Sequence, residues 1–340
     1  MKIIIDCMSG DNAPHEIVKG ALQGAKQYGV DVVLVGEKAV IEAYAAECGL
    51  PLGNAEIVEA NGPHLTMEDH PGDIMSKERA NSSMAVSLDS LKNGVGDALI
   101  SAGNTGALLT GATLKVRRIK GVRRAALGAI IPLGSPAIIA DSGAQTDCTP
   151  DNLVLFAHMG ALYMEHVCGV KNPKVALINN GAEEHKGTPL QQETYQLLKA
   201  DEAINFIGNI EGREIPEGSA DVLVCDGFTG NIVLKMVEGT GLFVKSTLKK
   251  LFYQNLATKI GALLCRGAVK SLKKEMSYDE YGGAPFLGIA KPVFKAHGSA
   301  DATSIAYCIK QAKTYTERGM IDEIEKAAAQ IKKETAGDER

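Results

Sequence analysis

The chain has 340 residues, 45% of them hydrophobic, with a formal net charge of −5 and seven cysteines. That length can bury one large α/β core or two smaller ones, and a net acidic molecule carries no overall footprint for nucleic acid. The cysteines (Cys7, Cys48, Cys148, Cys168, Cys225, Cys265, Cys308) are scattered without a C-x-x-C pair, which suits a reduced cytoplasm and argues against a disulfide framework or structural zinc.

Met1 to Asp6 runs directly into an apolar strand without the regions of a signal peptide. No apolar run approaches the ~20 residues of a membrane span, so a cytoplasmic protein is expected. Ile3 to Ile5 predicts the first strand, ending in the polar stretch Asp6 to Pro14 that opens a helix to about Tyr28. Asp31 to Gly36 repeats the strand pattern, Ala39 to Cys48 reads as a helix and Glu56 to Ala60 as a weaker strand. Asn61 to Asn81 is a long loop with one helical turn, a length usually functional or mobile. It contains His64-Leu65-Thr66-Met67-Glu68-Asp69, a match to the H-x-x-x-x-D acyltransferase pattern that is short enough to occur by chance.

Ser83 to Lys92 predicts a helix, and Asp97 to Ile100 a buried strand. The turn that follows, Ser101 to Ala107, packs small residues and side-chain amides between strand and helix. It reads either as an anion-binding turn or as a plain βα loop with unusual glycine dihedrals. Ala125 to Leu133 and Ala137 to Ala140 are apolar runs, the second ending at Asp141 to Asp147. Thr149-Pro150-Asp151 opens a helix to about Val167 with a capping residue before proline. Lys174 to Asn180 is a strand, followed by the loop Gly181 to Pro189, the helix Leu190 to Ala200 and a short β-like segment, Asn205 to Asn209. Ala220 to Asn231 can then be laid on Gly96 to Ala107 position by position, which predicts two equivalent strand-end turns in a parallel sheet.

Phe243 to Lys274 holds Lys245, Lys249, Lys250, Lys259, Arg266, Lys270, Lys273 and Lys274 and no acidic residue. Leu248, Leu251, Phe252, Leu256, Ile260, Leu263 and Leu264 recur mostly every three or four positions and form one helical face. A docked hairpin with a solvated basic side accounts for such a run, but its freedom from acids favours a surface for anionic lipid or an acidic protein. Tyr278 to Leu287 returns as a loop and Val293 to Ser299 is another strand end. Asp301 to Arg318 and Ile321 to Ile331 are helical, and the tail from Glu334 to Arg340 is expected to be frayed and disordered.

Alternating strands and helices predict an α/β fold with a parallel sheet covered on both faces. Ligands of such sheets sit outside the carboxyl ends of the strands. The turns at Asp6, Ser101, Asp141, Asn180, Asp226 and His297 should therefore converge on one cleft. They supply amides, hydroxyls, backbone N–H groups, Lys186 and His297, a set suited to a small oxyanion such as phosphate. There is no G-x-G-x-x-G after the first strand, no G-x-x-x-x-G-K-[ST] and no G-x-S-x-G. Metal-ligand spacing is absent too. Asp141 and Asp226 are single carboxylates of a kind that more often orient a loop than hold a metal.

Asp6 to Pro14, Asn81 to Met84, Ile100 to Leu108, Gly181 to Gly187, Asp226 to Asn231, Tyr281 to Ala284 and Ala296 to Ser299 together resemble the bacterial phosphate acyltransferase family of phospholipid synthesis. The motifs come in the family's order and span residue 1 to about 330. Ser9 stands where the family usually has glycine and Gln145 where it usually has asparagine, and His185 beside Lys186 is a further departure. The resemblance implies transfer of a fatty acyl group from acyl carrier protein to inorganic phosphate, with a coenzyme A thioester as the alternative donor and a non-catalytic acyl carrier protein or membrane scaffold as the alternative role. It implies a three-layer α/β/α fold with a mostly parallel sheet, like isocitrate and isopropylmalate dehydrogenases and phosphate acetyltransferase. The expectation is one catalytic domain over 1–333, with the basic helical hairpin inserted at 243–280. A homodimer, no cofactor, no metal, peripheral attachment to the inner face of the cell membrane and a downstream glycerol-3-phosphate acyltransferase that uses the acyl phosphate are also implied.

On that reading phosphate attacks the thioester directly. Asp6, Gly103, Asn104, Thr105, Gly106, Gly227, Thr229, Gly230 and Asn231 would hold phosphate and the acyl group. Lys186, His297 and Asp226 are the candidate catalytic residues. Lys186 would offset oxyanion charge if it is not simply a solvated loop lysine, and His297 would protonate the departing thiolate if it is not structural. Cys7 and Cys225 are read as buried free thiols by default. Lys249, Lys250, Leu256, Lys259, Ile260, Leu263 and Leu264 form the candidate surface for membrane or acyl carrier protein.

Overall fold

The computed structural model describes residues 1–133, 135–268 and 282–337. In chain order its elements are β1 (Lys2–Asp6), α1 (His15–Tyr28), β2 (Asp31–Gly36), α2 (Lys38–Glu47), β3 (Glu56–Glu59), α3 (Ser83–Lys92), β4 (Ala98–Ser101) and α4 (Thr105–Gly111). Then come β5 (Ala126–Leu127), β6 (Ala129–Leu133), β7 (Ser135–Ala140), α5 (Pro150–His166), β8 (Lys174–Asn179), α6 (Pro189–Ala200), β9 (Asn205–Glu211) and β10 (Val222–Val224). The chain continues through α7 (Gly227–Phe252), α8 (Leu256–Leu264), β11 (Gly283–Leu287), β12 (Val293–Ala296), α9 (Ala302–Glu317) and α10 (Met320–Gly337).

Strands buried on both faces need apolar side chains at successive positions, and the period of two sends neighbours to opposite layers. Ile3 and Ile5 of β1 enter one core and Ile4 another. In the same way Val222 and Val224 of β10 share that first core while Leu223 faces a third. The first core is continuous over both sheets and takes in α1, α5, α9 and α10. On the opposite side α3 and α4 cover one sheet, and the start of α7 covers the other. The result is the expected three-layer α/β/α fold.

The strands divide between two sheets instead of lying in one. A seven-stranded sheet has the order β3-β2-β1-β4-β12-β11-β5 and a five-stranded sheet the order β6-β7-β10-β8-β9. Strands β3, β2, β1, β4 and β12 are parallel, as are β7, β10, β8 and β9, while β11, β5 and β6 run against their neighbours. The apolar run from Ala125 to Leu133 crosses between the sheets. Gly128 sits at the crossing, where a Cβ would come 2.8 Å from Ile138 Cδ1.

Local signals mark several helix ends as expected. Thr149 and Asn152 close a reciprocal capping box at Pro150. The long loop contains a single 3-10 turn, Pro71–Met75. The last helix continues to Gly337, past the point at which fraying was expected, and residues 338–340 lie outside the described residues. The basic arm also departs from its expected limits. Its first helix is α7 itself, which starts at the strand end at Gly227 and runs unbroken for 26 residues with only Gly227 and Gly230 buried. After a break at Tyr253–Asn255, α8 buries none of its residues, and Leu264 is 82% exposed. Lys270, Lys273, Lys274 and Tyr278 to Tyr281 lie outside the described residues. Among the described residues no helix is long and apolar enough to cross a membrane.

Candidate active site

The carboxyl ends of the strands form two polar clusters, one on each sheet. On the larger sheet Asp6, Ser101 and Lys295 stand side by side in register on β1, β4 and β12. The Ser101 hydroxyl donates to Asp6 Oδ2 (2.7 Å) and accepts from the Gly103 N–H (3.2 Å). Lys295 Nζ donates to the carbonyls of Ala102 (3.2 Å) and Ala296. Burial draws its ammonium down to about 8.

Asn104 is the N-cap of α4 and its side chain is saturated. Oδ1 accepts from the Ala107 N–H, and Nδ2 donates to the carbonyls of Thr66, Met67 and Asp69. The residue expected to bind phosphate through its amide therefore clamps the long loop. Asp69 is a staple in that loop, accepting from Thr66 N and Oγ1 and pairing with Arg79 at 2.9 Å. His64 lies against Glu37 instead, at 3.7 Å.

On the smaller sheet Asp141 is fully buried. Its carboxylate accepts from the N–H groups of Leu127, Gly143, Ala144 and Gln145 at 2.6–3.1 Å. Burial pushes it up to about 6 against the pull of those donors. Asp226 caps α7, accepting from Thr229 N (2.9 Å) and Thr229 Oγ1 (2.8 Å). Its observed role is thus to orient the turn. Gly230 packs on Asp141 so closely that a Cβ would fall 1.9 Å from the Asp141 carbonyl oxygen. Asn231 is exposed beside Gly143, and its side chain has no hydrogen-bond partner among the described residues.

Most of the N–H groups expected to cradle an anion are already spent. Gly103 N donates to Ser101, Gly227 N to the Gln145 carbonyl, Thr229 N to Asp226 and Gly230 N to the Asp226 carbonyl. Helix geometry leaves first-turn N–H groups of Thr105, Gly106 and Phe228 without an intrahelical acceptor.

Helix α7 connects the clusters. Asp226 is its N-cap, and its next turns bring Lys235 and Glu238 to the strand end of the larger sheet. Lys235 pairs with Glu238 at 2.8 Å, and Glu238 Oε1 lies 3.9 Å from His297 Nε2. His297 Nδ1 lies 2.8 Å from Ser299 Oγ and accepts from the Ser299 N–H at 3.3 Å, an arrangement that suits a neutral imidazole with its proton on Nε2. Burial lowers the His297 pKa, with Lys235 and Lys295 adding to the effect and Glu238 opposing it. With its pKa lowered, His297 is a poor source of an imidazolium proton, and its Nε2 lies beyond hydrogen-bond distance of Glu238. Lys186 lies in the loop that follows β8 of the smaller sheet. Its carbonyl accepts from Asn179 Nδ2 (3.1 Å), and its ammonium has no ionic partner among the described residues. Cys7 and Cys225 are buried free thiols whose pKa values burial raises strongly. Neither is poised as a nucleophile.

Lys295, Lys235 and Glu238 escape a reading by strand-end position. Lys295 precedes the end of an apolar strand, and Lys235 and Glu238 lie two to three turns into a helix. Among the described residues no group of three or more His, Cys, Asp or Glu side chains could hold a metal ion.

A model of the fatty acid synthesis protein family matches residues 1–323. The phosphate acyltransferase of Thermoanaerobacterium thermosaccharolyticum is 44% identical over 327 residues, covering 96% of each chain. That of Clostridioides difficile is 42% identical over 341 residues, covering 100% of this chain and 99% of the other. Among solved structures, a phosphotransacetylase from Streptococcus pyogenes matches with a TM-score of 0.61 at 15% identity, over 93% of this chain and 94% of that one. A branched-chain phosphotransacylase from Enterococcus faecalis matches with a TM-score of 0.56 at 13% identity, over 92% and 98%. The structural matches establish a shared fold.

Proposed function

The chain belongs to the phosphate acyltransferase family, as an enzyme that transfers an acyl group to phosphate, and from that premise we propose that its donor is a fatty acyl thioester of acyl carrier protein. The product is then an acyl phosphate, the substrate for a glycerol-3-phosphate acyltransferase in phospholipid synthesis. The observation that carries the reading is α7, which runs from the Asp226–Asn231 turn into an exposed arm bearing Lys249, Lys250, Lys259, Leu256, Ile260, Leu263 and Leu264. A small soluble donor needs no such surface, whereas an acidic carrier protein and an anionic membrane do.

In the reaction an oxygen of hydrogenphosphate attacks the thioester carbonyl carbon, the C–S bond breaks, and the phosphate proton leaves with the thiol. Charge and protons balance without an acyl-enzyme. Phosphate is an anion at neutral pH and needs positioning more than a strong base. Thr105, Gly106, Thr229 and Asn231 border the acceptor position, Asp6 and Gly103 support the first turn, and Asp226, Gly227 and Gly230 support the second. Lys186 faces the developing oxyanion from the β8 end, and His297 lends a neutral donor.

Acyl phosphate formation measured with acyl carrier protein and coenzyme A thioesters separates this reading from a phosphotransacetylase type. Turnover of the coenzyme A thioester alone would overturn it, and binding without product would leave a scaffold. Lys186→Ala is expected to lower kcat by on the order of 10²-fold or more, the range for a lost oxyanion donor. Lipid attachment is read by flotation with anionic vesicles, which Lys249→Ala/Lys250→Ala/Leu256→Ser should abolish. The exposed row Phe228, Ile232 and Met236 on α7 supports a homodimer, to be tested by sedimentation of Met236→Glu.

A further inference from the structure

The row Asp6, Ser101 and Lys295 crosses three adjacent parallel strands at one register, and all three residues are buried, with Lys295 8% exposed. Its neighbours along the strands are apolar: Ile4, Leu99 and Val293 stand two positions earlier and belong to the core under α3 and α4. Burying an ammonium is costly unless it is paired. Among the described residues no carboxylate lies within ion-pairing distance of Lys295; its partners are two carbonyl oxygens at the carboxyl ends of β4 and β12. An ammonium has three protons to donate, so one is unspent. Two further buried atoms in the same place, Asp6 Oδ1 and Ser9 Oγ, also lack hydrogen-bond partners. Ser9 packs directly on Gly103, where a Cβ would meet its Oγ at 3.1 Å.

The row grips the Ala102–Gly103 peptide from both sides. Lys295 takes its carbonyl oxygen, and Ser101, held by Asp6, takes its N–H. That peptide precedes the Asn104 cap, so its orientation sets where Thr105 and Gly106 stand.

We propose that Lys295 is a positioning residue of the acyl acceptor site: its buried ammonium fixes the Ala102–Gly103 peptide from below and supplies the positive charge that retains the anionic acceptor above it. This rests on the reading of the strand ends as a phosphate site and adds to it a charge distinct from Lys186, which lies on the other sheet.

The test compares wild type, Lys295→Met and Lys295→Arg for steady-state kinetics, for binding of inorganic phosphate by calorimetry without any acyl donor, and for melting temperature. Lys295→Met is expected to raise the phosphate KM and Kd at least tenfold with the donor KM within twofold, and Lys295→Arg to recover most of the loss. The charged and titratable groups around Lys295 are Asp6 on β1, Asp11 in the following loop, Lys235 on α7, Cys308 on α9 and His297 in the turn after its own strand. Loss of the Lys295 proton weakens phosphate binding in wild type as pH rises through about 8. Lys295→Arg stays charged and follows only the ionisation of phosphate itself. A lysine that merely braced the sheet would shift melting without changing this profile. Unchanged phosphate KM and Kd in Lys295→Met, or superimposable pH profiles for wild type and Lys295→Arg, would overturn the proposal, the second also serving if Lys295→Met does not fold. Phosphate binding that depends on Lys295 in a protein that makes no acyl phosphate would sustain the proposal while the assigned reaction failed.

Discussion

The turns after β4 and β10 begin alike and end differently. Asp97 and Asp221 precede the two strands, and each accepts the N–H of a neighbouring strand's first residue, Lys2 and Lys174, at 2.8 Å. Laid position by position, Asn104 should match Phe228. The caps are instead Asn104 and Asp226, two positions apart on that overlay. The first turn spends two more residues, Ala102 and Gly103, before its helix, and they carry the contacts to Lys295 and Ser101. The second turn enters its helix at once and leans on Asp141. One sequence rhythm thus builds a turn held by distant side chains and a turn held by direct backbone packing.

The largest expected effect tests that packing. Gly230→Ala places a methyl against the Asp141 carbonyl and should destabilise the protein by about 3 kcal/mol, at the upper end for overpacking. Gly106→Ala meets the ring of Pro71 at 2.7 Å and Asn104 Oδ1 at 3.4 Å, with no backbone atom in the way, and should cost less; equal losses in denaturant unfolding would erase the contrast. A comparable effect follows from Asp141, whose carboxyl rises from 3.8 to about 6 in the fold. Its contribution is fully present below pH 3.8 and is lost as pH rises through about 6, an effect of roughly 3 kcal/mol. A carbon-13 titration of the Asp141 carboxyl should have its midpoint near 6, and one near 4 would refute this.

Asn104→Ala removes a helix cap and three loop bonds, and about 2 kcal/mol of stability should go with them. Proteolysis of the Asn61–Asn81 loop should increase in parallel. The smallest effect on stability belongs to Asn231→Ala, expected within about 0.5 kcal/mol for an exposed side chain. It should nevertheless raise the phosphate KM several-fold. If Asn104→Ala raised that KM at unchanged stability and Asn231→Ala did not, the division of roles would be reversed.

Much of the fold was legible in the sequence because its signals are short-range. The alternation of Ile3, Ile4 and Ile5 demands a strand buried on both faces, Thr149-Pro150 writes a helix start, and the spacing in Leu256 to Leu264 writes an amphipathic helix. The ordered motifs from Asp6 to Ser299 sufficed for the family. The two turns were likewise placed at the strand ends where the polar clusters lie. Which of their atoms are free was not legible. Asn104 spends its amide on carbonyls 35 to 38 residues away, and Lys295 reaches a carbonyl 193 residues away. The separation of the strands into two sheets depends on which edge each strand meets, and at the crossing a Cβ on Gly128 would meet Ile138 and Leu287. Local sequence determined the elements and the kinds of group at their ends, because periodicity and capping act over a few residues. Tertiary structure alone decided which of those groups are spent and which are left to bind, because hydrogen bonds are allotted only when distant segments meet.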